Sequence, residues 1–154
     1  MRRLSLLLAV SFFVLASDAA AMIQIDRGIA GARLGATRDD VRAALGKPTK
    51  SAGGTNEFGR WVRYDFAGGL RVFFQGRTNV TSVTTTGLGD RTAKGVGVGS
   101  TEADVTANVP KVKCETFETI RSCHTSDLLP GKRVTDFLIT NGKVARITVG
   151  IVID

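Results

Sequence analysis

Two segments decide how this chain reads: GARLGATRDDVRAALGK at residues 31–47 and GVGVGSTEADVTANVPK at residues 95–111. Placed one above the other at an offset of 64, they share Gly31/Gly95, Gly35/Gly99, Thr37/Thr101, Asp40/Asp104, Val41/Val105, Ala43/Ala107 and Lys47/Lys111. That is seven of seventeen positions, where unrelated segments of ordinary composition would share about one. The offset persists downstream, aligning Phe73 with Phe137, Val80 with Val144 and Val83 with Ile147. Such self-similarity is the mark of a duplicated unit, so the chain reads as two tandem repeats, residues 22–90 and 91–154, behind a short leader.

Each copy carries the same local instructions. Thr37 and Thr101 stand where a helix N-cap belongs, and Asp40 and Asp104, three residues on, can reach back to close a shortened capping box. Asp39, Asp40, Glu102 and Asp104 also place negative charge where the helix dipole favours it. These carboxylates therefore read as caps rather than as catalytic pairs. Val41, Ala44 and Leu45 give one apolar face, Val105, Asn108 and Val109 repeat it more weakly, and Gly46-Lys47-Pro48 and Pro110 stop the two helices.

Downstream the pattern turns to strands. Residues 61–66, 70–75 and 80–86 are strand-length runs separated by Ala67-Gly68-Gly69 and Gly76-Arg77-Thr78-Asn79. In the second copy 134–140 and 144–151 flank Asn141-Gly142, a strong hairpin turn, and 111–124 reads as a distorted first strand. The expected fold is α+β: two repeats, each a short helix followed by a three-stranded antiparallel meander. Because so small a sheet needs its apolar face covered, both helices should pack on one face of a shared sheet.

Arg2 and Arg3, the apolar run Leu4 to Ala16 and then Ala19-Ala20-Ala21 have the layout of a secretory signal peptide. The run is too short for the ~20 residues of a membrane span, so residues 1–21 are expected to be removed, leaving no stable membrane span. Removing Arg2, Arg3 and Asp18 leaves 19 basic and 13 acidic residues, a net charge of +6. Those charges are spread along the chain with few interleaved aromatics, which argues against nucleic-acid binding. In an oxidising compartment Cys114 and Cys123 form a disulfide more simply than a reactive thiol site. One His and two Cys cannot build a zinc centre, and no motif announces a cofactor. Gly95-Val96-Gly97-Val98-Gly99 lacks the remainder of a phosphate loop and reads as the entry to the second helix.

The element glycine, three residues, glycine, then Thr37 with Asp40-Val41, repeated at Gly95, Gly99, Thr101 and Asp104-Val105, resembles the tandem fold of the secreted β-lactamase inhibitory proteins. A single copy is similar to the small BamE-like lipoproteins of the bacterial outer-membrane assembly machine. The resemblance spans Ile29 to Ile151 and implies a concave antiparallel sheet with helices behind it, in a protein that binds another extracellular or envelope protein. Inhibition of a secreted enzyme is the specific form it implies, with an envelope assembly or structural role as the alternative. One departure is visible, since those inhibitors have a disulfide in each repeat and here only the second copy has cysteines.

Strand alternation selects the residues that could bind. Trp61, Arg63 and Asp65 share one face of their strand, and Arg71, Phe73 and Gln75 share one face of the next, leaving Val62, Tyr64, Phe66, Leu70, Val72 and Phe74 to the helices. Trp61, Arg63, Arg71 and Phe73, with Phe137 as the repeat partner of Phe73, form an aromatic and arginine set of the kind that dominates protein–protein hot spots. The competing reading is that the aromatics are core. A small secreted hydrolase is the alternative from another class, using Ser100, Ser122 or Ser126 with His124, but no third orienting carboxylate is announced.

Overall fold

The two quoted segments become the two helices. The computed structural model describes residues 22–153, so the expected signal peptide lies outside the described residues. Helix α1 is Arg38–Leu45 and helix α2 is Glu102–Asn108. Both open on the expected capping box. The Thr37 hydroxyl accepts from the Asp40 N–H at 3.2 Å while the Asp40 carboxylate accepts from the Thr37 N–H at 2.9 Å. The corresponding distances at Thr101 and Asp104 are 3.1 and 2.9 Å. Gly46 ends α1 at a φ of 78°, a conformation that favours glycine.

Short strands β1 (Met22–Gln24), β2 (Gly28–Ile29) and β3 (Ala32–Arg33) precede α1, and β4 (Lys50–Asn56), β5 (Gly59–Asp65), β6 (Leu70–Gln75) and β7 (Ser82–Thr85) follow it. Strand β8 (Arg91–Thr92) precedes α2, which leads into β9 (Lys113–Phe117), β10 (Ile120–His124), β11 (Arg133–Thr140) and β12 (Lys143–Ile151). The small sheet runs β3-β2-β1-β8, with β1 and β8 parallel. The large one has eight strands in the order β4-β5-β6-β7-β12-β11-β10-β9, antiparallel throughout.

Each meander therefore has four strands, not the three expected. The first gains β4, whose sequence KSAGGTN lacks the aromatic residues and the alternation that mark strands. The second gains one because the expected single strand over 111–124 is a hairpin, β9 and β10, with Cys114 directly opposite Cys123 and disulfide-bonded to it.

The centre of the sheet is the β7–β12 seam, where Thr84 lies opposite Thr148 and their hydroxyl oxygens are 3.1 Å apart. These two threonines are 64 residues apart. The same interval relates the hydrogen bond from the Gly35 N–H to the Val80 carbonyl and that from the Gly99 N–H to the Val144 carbonyl, each 2.8 Å. It also relates the bond from Val80 N–H to Ala36 carbonyl, 2.9 Å, and that from Val144 N–H to Ser100 carbonyl, 2.8 Å.

Register separates the two faces. The rows Tyr64–Val72–Val83–Val149–Thr135 and Leu70–Thr85–Ile147–Phe137–Cys123 run across the sheet on the covered side, and each of these residues is buried. Both helices lie there. Val41 and Val105 are fully buried in the same core. The Arg42 guanidinium donates to the Tyr64 hydroxyl at 2.8 Å and sits over its ring, and Glu102 of α2 pairs with Arg121 of β10. Between the buried rows a polar row, Asp65–Arg71–Thr84–Thr148–Asp136–His124–Lys113, faces the other way.

Candidate binding face

Two adjacent strands build the aromatic part of the open face. Because side chains alternate along a strand, burying Tyr64, Val72 and Phe74 forces Trp61, Arg63, Arg71 and Phe73 onto the opposite side. The indole of Trp61 stacks on Phe73 with ring centres 5.4 Å apart and planes at 24°. Both rings are half-buried, and α1 and α2 pack on the opposite face. Gly54 of β4 pairs with Trp61, and a Cβ at that glycine would stand 2.9 Å from Trp61 Cζ2. A side chain there would displace the indole, so the glycine lets the ring lie across the edge strand.

Beside the stack, Asp65 ties the two arginines together. Arg63 Nη2 is 3.1 Å from Asp65 Oδ2, and Arg71 Nε donates to Asp65 Oδ1 at 2.7 Å. Burial pushes the Asp65 carboxyl up, but the Arg71 hydrogen bond and the charges of Arg63 and Arg71 outweigh it and hold the group below its ordinary range. The arginines are thereby fixed in position at the rim of the aromatic pair, with Arg71 the more exposed.

Phe137 does not join this set. It is fully buried on the covered face. Phe73 pairs with Ser82, whereas Phe137 pairs with Ile147, one residue beyond the place a 64-residue interval from Ser82 would reach. A one-residue change of register sends a side chain to the other face, so the numerical partner of an exposed ring becomes core.

The other half of the open face is polar and partly closed. His124 is 4% exposed. Its Nδ1 lies 2.8 Å from the Ser126 carbonyl and its Nε2 lies 2.9 Å from a Glu115 carboxylate oxygen. Both ring nitrogens are thus engaged away from any serine hydroxyl. Ser126 Oγ donates to the Arg133 carbonyl at 2.9 Å, and Ser100 Oγ accepts from the Gly97 N–H at 3.1 Å. Ser100 and Ser126 are thus bonded away from the histidine, whereas Ser122, two residues before His124 on the same strand face, hydrogen-bonds to Asp136. Asp136, next along the row, is pushed above its ordinary range by burial, partly offset by a hydrogen bond from Ser122 and by the charges of His124 and Arg146. Glu102 lies near Cys114 and Cys123, but the two sulfurs are bonded to each other and do not form a metal donor set.

Asp65, Gly54 and the Thr84–Thr148 seam were not singled out by sequence reasoning. Only Asp65 left a signal there, through its place on the Trp61 and Arg63 face.

No protein-family model matches the chain, and no curated protein matches it. Among solved structures, it is similar to an extracellular protein containing an SCP domain from Bacillus anthracis, with TM-score 0.55 and 11% identity over 94% of this chain and 50% of that one. The chain spans half the length of that protein. It is also similar to YjgB, a DUF4309 family protein of Bacillus subtilis, with TM-score 0.52 and 19% identity over 86% of this chain and 88% of that one. A third neighbour is the uncharacterized protein yfeY of Escherichia coli, with TM-score 0.51 and 13% identity over 82% and 95% of the two chains. These likenesses are of fold. They overturn the expected resemblance to β-lactamase inhibitory proteins and BamE-like lipoproteins, which rested on a short cap motif that many helix starts share.

Proposed function

We propose that the chain is an exported, non-catalytic binding module, in which two copies of one helix-and-meander unit, 22–90 and 91–154, join edge to edge and hold another extracellular or envelope protein against the open sheet face. The observation that carries the binding reading is the half-buried Trp61–Phe73 stack with Arg63 and Arg71 fixed around Asp65 on the face opposite α1 and α2. Aromatic and arginine side chains held rigidly at a partly desolvated centre are the composition of interface hot spots. Duplication is supported by the paired cap geometries and by Thr84 meeting Thr148 at the seam, as equivalent residues do across a twofold contact. Export is supported by the layout of residues 1–21 and by the disulfide. The printed description of the Bacillus anthracis neighbour as extracellular agrees with it.

The test is affinity capture from extracellular and envelope fractions with the exported protein and with a Trp61→Ala, Phe73→Ala variant matched for thermal stability. A partner retained by the parent and weakened at least about 30-fold in the variant, the loss expected of a hot spot, supports the face as the site. Equal retention by both baits removes it.

A further inference from the structure

The eight-stranded sheet ends in two unlike edges, β4 and β9. Strand β9 has five residues, is bonded to β10 through Cys114–Cys123, and carries Lys113 and Glu115. Strand β4 has seven residues, and from Ser51 to Asn56 it contains no proline and no charge. Natural proteins blunt sheet edges with shortness, charge, proline or bulges, and β4 has none of these along that stretch. Its pairing with β5 fixes which backbone groups are free. Asn56 lies opposite Gly59 across a two-residue turn, and such a pair exchanges both of its hydrogen bonds, since the other antiparallel pattern would require the two turn residues to bond each other. Alternation then turns the N–H and C=O groups of Ser51, Gly53 and Thr55 outward. All three residues are exposed.

We propose that β4 pairs antiparallel with β4 of a second copy about a twofold axis at Gly53, joining two eight-stranded sheets into one. In that register Ser51 faces Thr55 of the partner subunit, Gly53 faces Gly53 of the partner subunit, and every outward group of the three residues is used, for about six hydrogen bonds. The same register sets Lys50 of each copy opposite Asn56 of the partner subunit, one residue short of Glu57 of the partner subunit in its turn, once at each end. Neither Lys50 nor Glu57 has an ion-pair partner among the described residues. The molecule already joins strands this way at β7 and β12. Since β9 is blunted, each copy offers one such edge, and a twofold contact through it closes at two copies. The added strands lengthen the sheet and cover neither face, so the inference stands independently of the binding reading.

Sedimentation velocity on the exported protein from about 1 to about 100 µM should show a concentration-dependent shift toward twice the monomer mass. Gly53→Pro removes the outward donor on the axis without removing a bond to β5 and should raise the dimer dissociation constant at least about tenfold. A charge exchange guards against a β4 disturbed by proline. Lys50→Glu and Glu57→Lys should each weaken the dimer, and the two together should restore it. A monomer at every concentration overturns the proposal. So does a dimer unaffected by Gly53→Pro, or a double charge variant weaker than both singles.

Discussion

Removing the threonine hydroxyls at the two caps tests whether both helices are held by one device acting twice. Asp40 N–H reaches Thr37 Oγ1 at 3.2 Å and Asp104 N–H reaches Thr101 Oγ1 at 3.1 Å. With alanine, each of these first-turn donors keeps only water as a partner, a change that costs about 1 kcal/mol. Helices of eight and seven residues cannot hold themselves in water, so the loss passes directly to the docking of Val41 and Val105. The two caps share no partner, so Thr37→Ala and Thr101→Ala together should cost about 2 kcal/mol, or roughly 7 °C in Tm for a domain of this size.

The acid limb provides a second reading of the same variants. Asp40 and Asp104 are held below the ordinary carboxylate range, first by the side-chain hydrogen bond of the preceding threonine and then by its backbone N–H. A carboxyl lowered on folding stabilises above its unfolded value near ~4 and loses that stabilisation as pH falls through the lower folded value. Thermal unfolding followed by circular dichroism from about pH 5 to about pH 2 should therefore show a shallower acid loss in the alanine variants. A double variant that costs no more than one single, or a single with no effect on Tm, refutes the reasoning.

A Trp61→Ala, Phe73→Ala double-mutant cycle in denaturant should give a coupling of about 1 kcal/mol, as expected for a stacked pair at this separation, and no coupling would reduce the contact to buried area alone. Replacing both Cys114 and Cys123 by serine should cost at most about 2.5 kcal/mol for so short a loop and should raise hydrogen exchange in β9 and β10 while β5 and β6 stay protected, whereas a uniform rise would contradict a local role. Asp136→Asn should raise Tm at neutral pH. Burial raises this carboxyl's folded pKa, so its contribution is largest below the unfolded value and is lost as pH rises through the folded one. A lower Tm at neutral pH would show that Ser122, His124 and Arg146 outweigh the burial.

The caps were legible because they are local: a hydroxyl, two residues and a carboxylate specify their own geometry at Thr37 and at Thr101. The Asn141-Gly142 turn and the facing of Trp61 against Tyr64 followed from equally short-range rules. Strand β4 was not legible, since KSAGGTN becomes a strand only because β5 offers it a ladder. Phe137 was misplaced because a repeat interval counts residues and a sheet counts register, and the two part by one position in β11. The family resemblance failed for a related reason. A cap motif describes how a helix begins and carries little information about which fold receives it.

Strand β12 lies at the seam, yet every strand it pairs with, β7 and β11, precedes it in the chain. During synthesis from the N-terminus, β4 to β7 can form a meander, but the inner edge of β7 must wait, unpaired, until Lys143–Ile151 has emerged. Pairing across so long an interval is the slow step of a topology like this one. The time for which β7 stays open therefore sets how long the nascent chain is vulnerable to capture by other strands.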